Sequence, residues 1–318
     1  MDKIIVKPQE IKTEVLEGLL QPRKKLPSKL FYDEKGSELF EQITGLDEYY
    51  LTRTEFRIMR DNIEEIAGLI KEDSVIIELG SGSSSKTRLL FDYADDIAMY
   101  IPVDISENML METVILLSSD YPELPVYPIA ADYTNSFRLP KIAEEKENKL
   151  VYFPGSTIGN FTRKQLIQFL GRIARLVGEK GGLLVGVDLK KDKKILYDAY
   201  NDRQGLTAQF NLHILERVNT EFNADFKTEN FTHKAVYNEE KGRIEMYLIS
   251  LKYHIVKFDS IPIPFRKGEA ILTEYSYKYT LDEFCRLASK YFNVKKIWTD
   301  EDKMFSVQYL ETREKEKV

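Results

Sequence analysis

The amino-acid sequence predicts an α/β fold in which helices flank a parallel sheet, together with a second, smaller α+β unit. Three observations support this prediction. Short apolar runs alternate with amphipathic helical patterns between residues 74 and 190. The alternation gives way to β-type segments within residues 191–278, and it returns near the end of the chain. Buried apolar strands that alternate with helices are typical of parallel sheets covered on both faces.

The predicted strands of the sheet each meet a glycine or an acidic residue at one end. The first covers residues 74–79 and leads into a glycine-rich turn. Three further apolar runs end at Asp104, Asp132 and Asp188, and another opens into a turn at Gly155. In open α/β sheets, ligands bind beyond the carboxyl ends of the strands. These positions therefore mark the edge where we expect a site.

The remaining segments predict a second domain built from two distant parts of the chain. The N-terminal region is predicted to form a short arm, a helix with the sequence IKTEVLEGLLQ and an aromatic segment rich in turn residues. Residues 191–278 are predicted to form a helical stretch and then an antiparallel meander with a hairpin turn at 238–242. A capping box at Thr280–Glu283 starts a last helix, which two strands follow. The predicted domains are 54–190 with 279–318, and 8–53 with 191–278.

Composition disfavours several classes of function. The 318 residues carry a formal net charge of -6, which argues against nucleic acid and anionic membrane surfaces as partners. The single cysteine, Cys285, cannot form an intrachain disulfide, and the histidines show no spacing typical of a metal site. No apolar run is long enough for a signal peptide or a membrane span. We expect a monomeric cytoplasmic protein without a metal, in which Cys285 is a buried, inert thiol.

The turn GSGSSSKT after the first strand is close to glycine loops of more than one kind. An ATPase P-loop requires its second glycine where Ser85 stands, because the backbone wraps the phosphates in a conformation that a side chain obstructs. A dinucleotide fingerprint requires its third glycine at the same position. Asp104, at the end of the next strand, suits the ribose of any adenosine. Asp188 could act as the Walker aspartate, so ATP stays an open alternative.

S-adenosylmethionine (SAM) is the ligand that the ordered set of residues favours. It needs an acid before the turn, glycines that let the backbone approach its methionine part, an acid for the ribose and an acceptor for the adenine amine. Five residues fill these places in order: Glu78, Gly80, Gly82, Asp104 and Asp132. Tyr133 adds a ring beside the adenine plane. Because SAM carries no pyrophosphate, a missing third glycine does not count against it. Taken singly, an aspartate at a strand end is more often a helix N-cap.

Several long motifs make the chain similar to one family. They are KLFYDEKGSELFEQIT, EYYLTR, ELGSGSSSKTR, VYFPGSTIGNF, YDAYNDRQGLTAQFN, IEMYL and TEYSYKY. With these motifs the chain resembles the histidine-specific Nα-methyltransferases of the ergothioneine pathway. The resemblance implies a Rossmann-like class I methyltransferase sheet, with a substrate domain formed by N-terminal and inserted segments. It also implies transfer of methyl groups from SAM to the α-amino group of L-histidine, three times, to give hercynine.

The resemblance also implies roles for individual residues. For the cofactor it implies Tyr32, Gly80, Gly82 and Lys86, where Lys86 would meet the methionine carboxylate, beside the Asp104, Asp132 and Tyr133 found above. For the substrate it implies Tyr49, Gly155, Asn160, Tyr200, Met246, Glu274 and Ser276. Tyr49 and Asn160 are the candidate catalytic residues. Glu274 and Ser276 would hydrogen-bond the imidazole, and strand alternation places these two side chains on one face.

Two alternatives to histidine methylation remain at this stage. A related branch of the same family methylates tryptophan-derived amines, and the Glu274 and Ser276 pair argues against it, because an indole would leave both polar groups unpaired. A nucleotide-binding regulatory or ATPase domain is an alternative of another class, against which the missing P-loop glycine argues. Tyrosines and methionines are also common in ordinary cores, so Tyr49, Tyr200 and Met246 have a structural explanation without the resemblance.

Overall fold

A computed structural model describes residues 8–82 and 85–313 of the protein. The described chain divides into two compact units. The first unit contains residues 51–190 and 278–313, and the second contains residues 8–50 and 191–277. The predicted N-terminal arm lies outside the described residues, and the first helix begins at Pro8.

The elements alternate between helix and strand over much of the chain. In chain order, the described α-helices are α1 (Pro8–Leu20), α2 (Glu34–Thr44), α3 (Tyr50–Asp61), α4 (Ile63–Ala67), α5 (Ser85–Tyr93), α6 (Glu107–Asp120), α7 (Lys141–Glu144), α8 (Arg163–Val177), α9 (Lys193–Asp198), α10 (Leu206–Phe222) and α11 (Leu281–Ala288). The described strands are β1 (Lys24–Lys25), β2 (Ser74–Leu79), β3 (Ile97–Asp104), β4 (Ile129–Ala130), β5 (Lys149–Phe153), β6 (Gly182–Asp188), β7 (Phe231–Asn238), β8 (Arg243–Ser250), β9 (His254–Phe258), β10 (Ile261–Phe265), β11 (Ala270–Tyr277), β12 (Phe292–Thr299) and β13 (Phe305–Thr312).

The first unit is built on a seven-stranded sheet with the order β12-β13-β6-β5-β2-β3-β4. The five strands from β6 to β4 pair in parallel, whereas β13 runs antiparallel to both β6 and β12. Every residue of β2 and β6 is buried, as expected for strands that are covered on both faces. The predicted α/β fold is therefore confirmed. The run that ends at Asp132 forms only the two-residue strand β4, shorter than the prediction.

Helix α8 illustrates how local sequence forms this unit. Its start is fixed by a capping box, in which Thr162 accepts from the Gln165 amide and the Gln165 side chain accepts from the Thr162 amide. Such an N-cap stabilises a helix by about 1 kcal/mol. The helix ends at Val177, and the following Gly178 caps it with a positive φ of 76°, which suits glycine. Its apolar face is buried and includes Leu166 and Phe169.

The second unit is built on a four-stranded sheet with the order β1-β11-β8-β7. The predicted hairpin joins β7 to β8, and β8 pairs antiparallel with β11. The N-terminal segment adds β1, which pairs in parallel with β11 and so departs from the purely antiparallel prediction. Within the predicted meander, the segment GRIEMYLISLKYHIVKF is divided between β8 and β9, and β9 pairs with β10 in a separate two-stranded sheet. Helix α10 packs on β7 and β8 with buried apolar residues such as Ile214 and Val218.

Candidate active site

The glycine turn after β2 has a backbone that leaves room for a ligand. Gly80 and Gly82 have φ values of 71° and 48°, in the left-handed region that favours glycine. A Cβ on Gly82 would meet no described atom within 4 Å, and one on Gly80 would lie 3.6 Å from the Tyr133 ring. The hydroxyl of Thr113 donates to the Gly82 carbonyl at 2.7 Å and holds the turn in place. The open space over Gly82 fits the close approach that the methionine part of SAM requires.

Three acidic residues lie at or beside the ends of β2, β3 and β4. Glu78 is buried and accepts a hydrogen bond from the Tyr100 hydroxyl. Asp104 accepts from the Ser106 amide at 3.0 Å, and burial raises its pKa despite the backbone hydrogen bonds that oppose this shift. Asp132 accepts from the Thr134 amide at 2.8 Å and so stabilises its own turn. The structure thus brings the predicted acids to the carboxyl edge of the sheet, near the glycine turn.

A buried carboxylate that the sequence analysis missed organises this edge. Glu55 on α3 is 0% exposed and accepts from the Gly155 amide at 2.9 and 3.0 Å. It also forms an ion pair with Lys86, the residue predicted to meet the methionine carboxylate. A Cβ on Gly186 would lie 2.1 Å from Glu55 Oε1, so a larger residue at this position of β6 would displace the Glu55 carboxylate. No local motif marks Glu55, because its partners are distant in sequence.

The loop that carries Gly155 and Asn160 is held by its own backbone geometry. Gly155 and Ser156 both have positive φ, 77° and 56°. The Asp188 amide donates to Ser156 Oγ at 2.9 Å, which ties the loop to the end of β6. A short 3-10 helix, Thr157–Asn160, follows directly and leads to the cap of α8. Asn160 is half-buried at the end of this 3-10 helix.

An ion pair between Lys278 and Asp188 lies at the end of β6. Lys278 Nζ is 2.7 Å from Asp188 Oδ2, and both side chains are 0% exposed. The Tyr279 amide donates to the Asp188 carbonyl at 3.2 Å, and the Lys190 amide donates to the Tyr279 carbonyl at 2.9 Å. This pair therefore lies where the chain leaves the first unit and where it returns.

In the second unit, the residues predicted for the imidazole share one face of the four-stranded sheet. Glu274 pairs with Met246, and Ser276 pairs with Ile244. Side chains of directly opposite residues lie on the same face, so Met246, Glu274 and Ser276 are neighbours. The Tyr200 hydroxyl donates to Ser276 Oγ at 2.9 Å, which brings Tyr200 to the same group.

A chain of aromatic rings connects the other predicted residues of this unit. The Tyr49 ring is edge-on to that of Tyr200, with 6.4 Å between centroids. Phe40 contacts Tyr49 and Tyr32 at 6.0 and 5.8 Å. Phe40 lies within the KLFYDEKGSELFEQIT motif but has no role in the predictions from sequence. Tyr32, Tyr49 and Tyr200 are thus linked within one unit by ring contacts.

The structure divides the predicted residues between the two units. Those in the first unit are Gly80, Gly82, Lys86, Asp104, Asp132, Tyr133, Gly155 and Asn160, and those in the second are Tyr32, Tyr49, Tyr200, Met246, Glu274 and Ser276. Over the described residues, no group of His, Cys, Asp and Glu could hold a metal ion, and no helix is long and apolar enough to cross a membrane. Cys285 is only half-buried, less enclosed than predicted, and this partial burial raises its pKa.

Solved structures and curated relatives identify what this arrangement is similar to. The PH0226 protein of Pyrococcus horikoshii superposes with a TM-score of 0.50 at 13% identity, covering 89% of this chain and 100% of that one. OxaC, solved with S-adenosylhomocysteine (SAH) and oxaline, superposes with a TM-score of 0.50 at 10% identity, covering 97% of this chain and 63% of that one. At such identities the likeness supports the fold alone, which is that of class I methyltransferases.

Sequence comparison is more specific. The histidine N-alpha-methyltransferase of Mycolicibacterium smegmatis is 36% identical over 299 residues, which cover 92% of each chain. Ergothioneine biosynthesis protein 1 of Neurospora crassa is 32% identical over 88% of this chain and 32% of its own length. L-tryptophan methyltransferase of Psilocybe serbica is 29% identical over 85% of this chain and 84% of its own. A family profile described as histidine-specific, SAM-dependent methyltransferase matches residues 11–312. The chain therefore belongs to the family of histidine-specific, SAM-dependent methyltransferases.

Proposed function

We propose that the protein methylates the α-amino group of L-histidine three times and releases hercynine. The observation that carries this proposal is the shared face of Met246, Glu274 and Ser276, with the Tyr200 hydroxyl bonded to Ser276. Glu274 and Ser276 thus offer two polar groups on one face, next to the apolar side chain of Met246. The proposal is supported by relatives whose names state histidine N-alpha-methylation and ergothioneine biosynthesis.

The polarity of the hydrogen bonds suits a neutral imidazole. The Glu274 carboxylate is an acceptor for the ring N–H. Ser276 shares a hydrogen bond with the Tyr200 hydroxyl, and a hydroxyl both donates and accepts, so Ser276 also suits a ring nitrogen lone pair. Neutral imidazole offers one donor and one acceptor. Indole and phenyl rings cannot satisfy both groups, and a site of this kind discriminates by roughly four orders of magnitude.

The first unit carries the residues that would hold SAM. Gly80 and Gly82 leave the approach to the methionine part open, Asp104 suits the ribose, and Asp132 with Tyr133 suits the adenine. SAM, when bound, supplies a methyl group on a sulfonium for displacement by a nucleophile. We assign cofactor binding to residues 54–190 with 279–318 and substrate binding to 8–53 with 191–278. Lys86 is already paired with Glu55, so any contact with a methionine carboxylate would be shared with that charge.

The residues proposed to bind the amine and carboxylate of the substrate orient the amine, which is the nucleophile that attacks the methyl group. A protonated amine is no nucleophile, and the α-amino group of a free amino acid is mostly protonated at neutral pH. The Tyr49 hydroxyl is proposed to accept a hydrogen of the amine and to orient its lone pair. Gly155 and Asn160 are proposed to bind the amine and the carboxylate. Tyr200 is proposed for the carboxylate as well, to which its one hydroxyl proton would turn from Ser276 when the substrate binds. Orientation of this sort is the main contribution that a protein makes to such a transfer.

The test is incubation of the purified protein with SAM and a panel of free amino acids, followed by mass spectrometry. We expect histidine to gain successive methyl groups up to three, and tryptophan and phenylalanine to gain none. N-acetylhistidine keeps the ring but blocks the amine, so its methylation would refute the α-amino assignment. Methylation of tryptophan in preference to histidine would favour the alternative that the Psilocybe relative suggests.

A further inference from the structure

The face that carries Glu274 is set by an irregularity in β11. Leu272 pairs with Tyr247, but the next pair along is Glu274 with Met246, so Thr273 is an extra residue without a direct partner. Without that β-bulge, regular pairing would place Glu274 opposite Glu245. A slip of one residue sends every later side chain to the other face of the sheet. Glu274 and Ser276 share the face of Met246 only because Thr273 is inserted.

The opposite face is unsuited to Glu274. It carries Arg243 and Glu245, joined at 2.7 Å, and Tyr247 donates to the same carboxylate. Placing Glu274 directly across from Glu245 would bring two like charges together, which destabilises a sheet. The bulge therefore separates two acidic residues and directs one of them to the Met246 face.

A buried hydrogen-bond network holds the bulge residue. Thr273 is 1% exposed, and its hydroxyl donates to Asn211 Oδ1 at 2.7 Å, with the Met246 carbonyl at 3.1 Å. Asn211 lies on α10 and is 0% exposed. Its Nδ2 donates to His233 Nδ1 at 2.9 Å and to the Tyr247 carbonyl at 3.0 Å. One amide thereby contacts β7, β8 and β11.

The same network reaches the residue that bonds Ser276. His233 Nε2 donates to the Tyr200 carbonyl at 2.9 Å, which leaves Nδ1 as the acceptor for Asn211. Burial lowers the pKa of His233, in keeping with a neutral ring in these bonds. The backbone of Tyr200 and the bulge before Glu274 are thus tied to one side chain, Asn211.

We propose that Thr273 and Asn211 are positioning residues for the histidine ring, since they hold the bulge that aims Glu274. This inference rests on the proposed function, because it takes Glu274 to be the partner of the imidazole. Neither residue is assigned a contact with substrate. Their contribution is to fix the register and the direction of β11, which determines specificity for a ring that offers a donor and an acceptor.

The test compares Thr273→Val, which removes the hydroxyl at nearly constant volume, with Thr273→Ser, which retains it. Loss of one such buried hydrogen bond should reduce kcat/KM for histidine about tenfold, mainly through KM. Thr273→Ser should stay within about twofold of wild type by the same reasoning. SAH affinity, measured by calorimetry, should be unchanged in both variants. Should Thr273→Val fail to fold, Thr273→Ala removes the same hydroxyl and replaces it in the comparison.

A double-mutant cycle separates positioning from general packing. If Thr273 acts through Glu274, then Thr273→Val should have no further effect on histidine affinity in a Glu274→Ala background. Equal effects in both backgrounds, or wild-type kinetics for Thr273→Val, would overturn the inference while leaving histidine methylation intact. A wild-type protein that does not methylate histidine would refute the proposed function itself, and the inference with it.

Discussion

Replacing Lys278 with methionine should reduce the free energy of unfolding of the first unit by about 3–5 kcal/mol, the range found when a buried ion pair loses one partner. Lys278 Nζ lies 2.7 Å from Asp188 Oδ2, and both side chains are 0% exposed. Water therefore cannot solvate the Asp188 carboxylate once the ammonium is gone. Methionine keeps most of the aliphatic volume, so the loss reports the missing charge. A single domain is typically stable by 5–15 kcal/mol, so the effect is large.

Urea unfolding monitored by Trp298 fluorescence measures this loss. Trp298 is the one tryptophan of the sequence, and it lies on β12 in the same unit as the ion pair. Lys180→Met is the matched control: it breaks a surface pair with Glu147, in which the two side chains are 62% and 71% exposed, and it should leave the urea midpoint close to that of wild type. Adding Asp188→Leu to Lys278→Met should recover most of the stability. If Lys278→Met unfolds at the same urea concentration as Lys180→Met, the buried pair of Lys278 and Asp188 does not stabilise the first unit.

Three further predictions concern the site. Glu274→Ala should lower kcat/KM for histidine by about 10- to 100-fold, because a hydrogen bond to a charged group is lost. SAH affinity measured by calorimetry should stay the same. Unchanged histidine turnover would show that Glu274 does not bind the imidazole. Asp104→Asn should weaken SAH binding in the same calorimetric assay yet leave the thermal midpoint equal or higher at neutral pH. Burial raises the pKa of Asp104 in the folded state, so at a pH above the ordinary aspartate pKa the ionised carboxylate destabilises the folded protein, and asparagine removes this cost. A lower thermal midpoint together with unchanged SAH affinity would contradict both the stability effect and the role in binding. Glu55→Gln can still accept a hydrogen bond from the Gly155 amide, whereas Glu55→Met cannot. The methionine variant should therefore be less stable than the glutamine variant by about 1–3 kcal/mol in urea unfolding. Equal stability of the two variants would argue against the hydrogen bond to Gly155.

Much of the fold followed from local sequence patterns. The apolar runs that end at Asp104 and Asp188 predicted strands whose burial needs no distant information, because parallel strands are apolar on both faces. The turn at 238–242 and the capping box at Thr280 are likewise local signals. The short strand β4 was overestimated, because an apolar run does not reveal how far a neighbouring strand extends to pair with it.

The candidate site was predicted in part. The glycine turn and the strand-end acids were found from spacing, and the second-unit residues from the resemblance. Glu55 was missed because its partners, the Gly155 amide and the Lys86 ammonium, are far away in sequence. The bulge at Thr273 was missed for a related reason: alternation correctly put Glu274 and Ser276 on one face, but only the pairing with β8 decides which face that is.

The chain leaves the first unit and returns to it at neighbouring positions, near Lys190 and Tyr279, and this arrangement has an evolutionary consequence. It leaves after Lys190 and returns at Lys278, and an isolated bridge between the neighbouring residues Leu189 and Tyr279 holds the two ends of the intervening segment side by side. A segment whose two ends lie side by side can be lengthened or shortened without a change in the topology of the domain that contains it. Residues 191–277 can thus gain or lose length in the course of evolution while the seven-stranded sheet keeps its strand order.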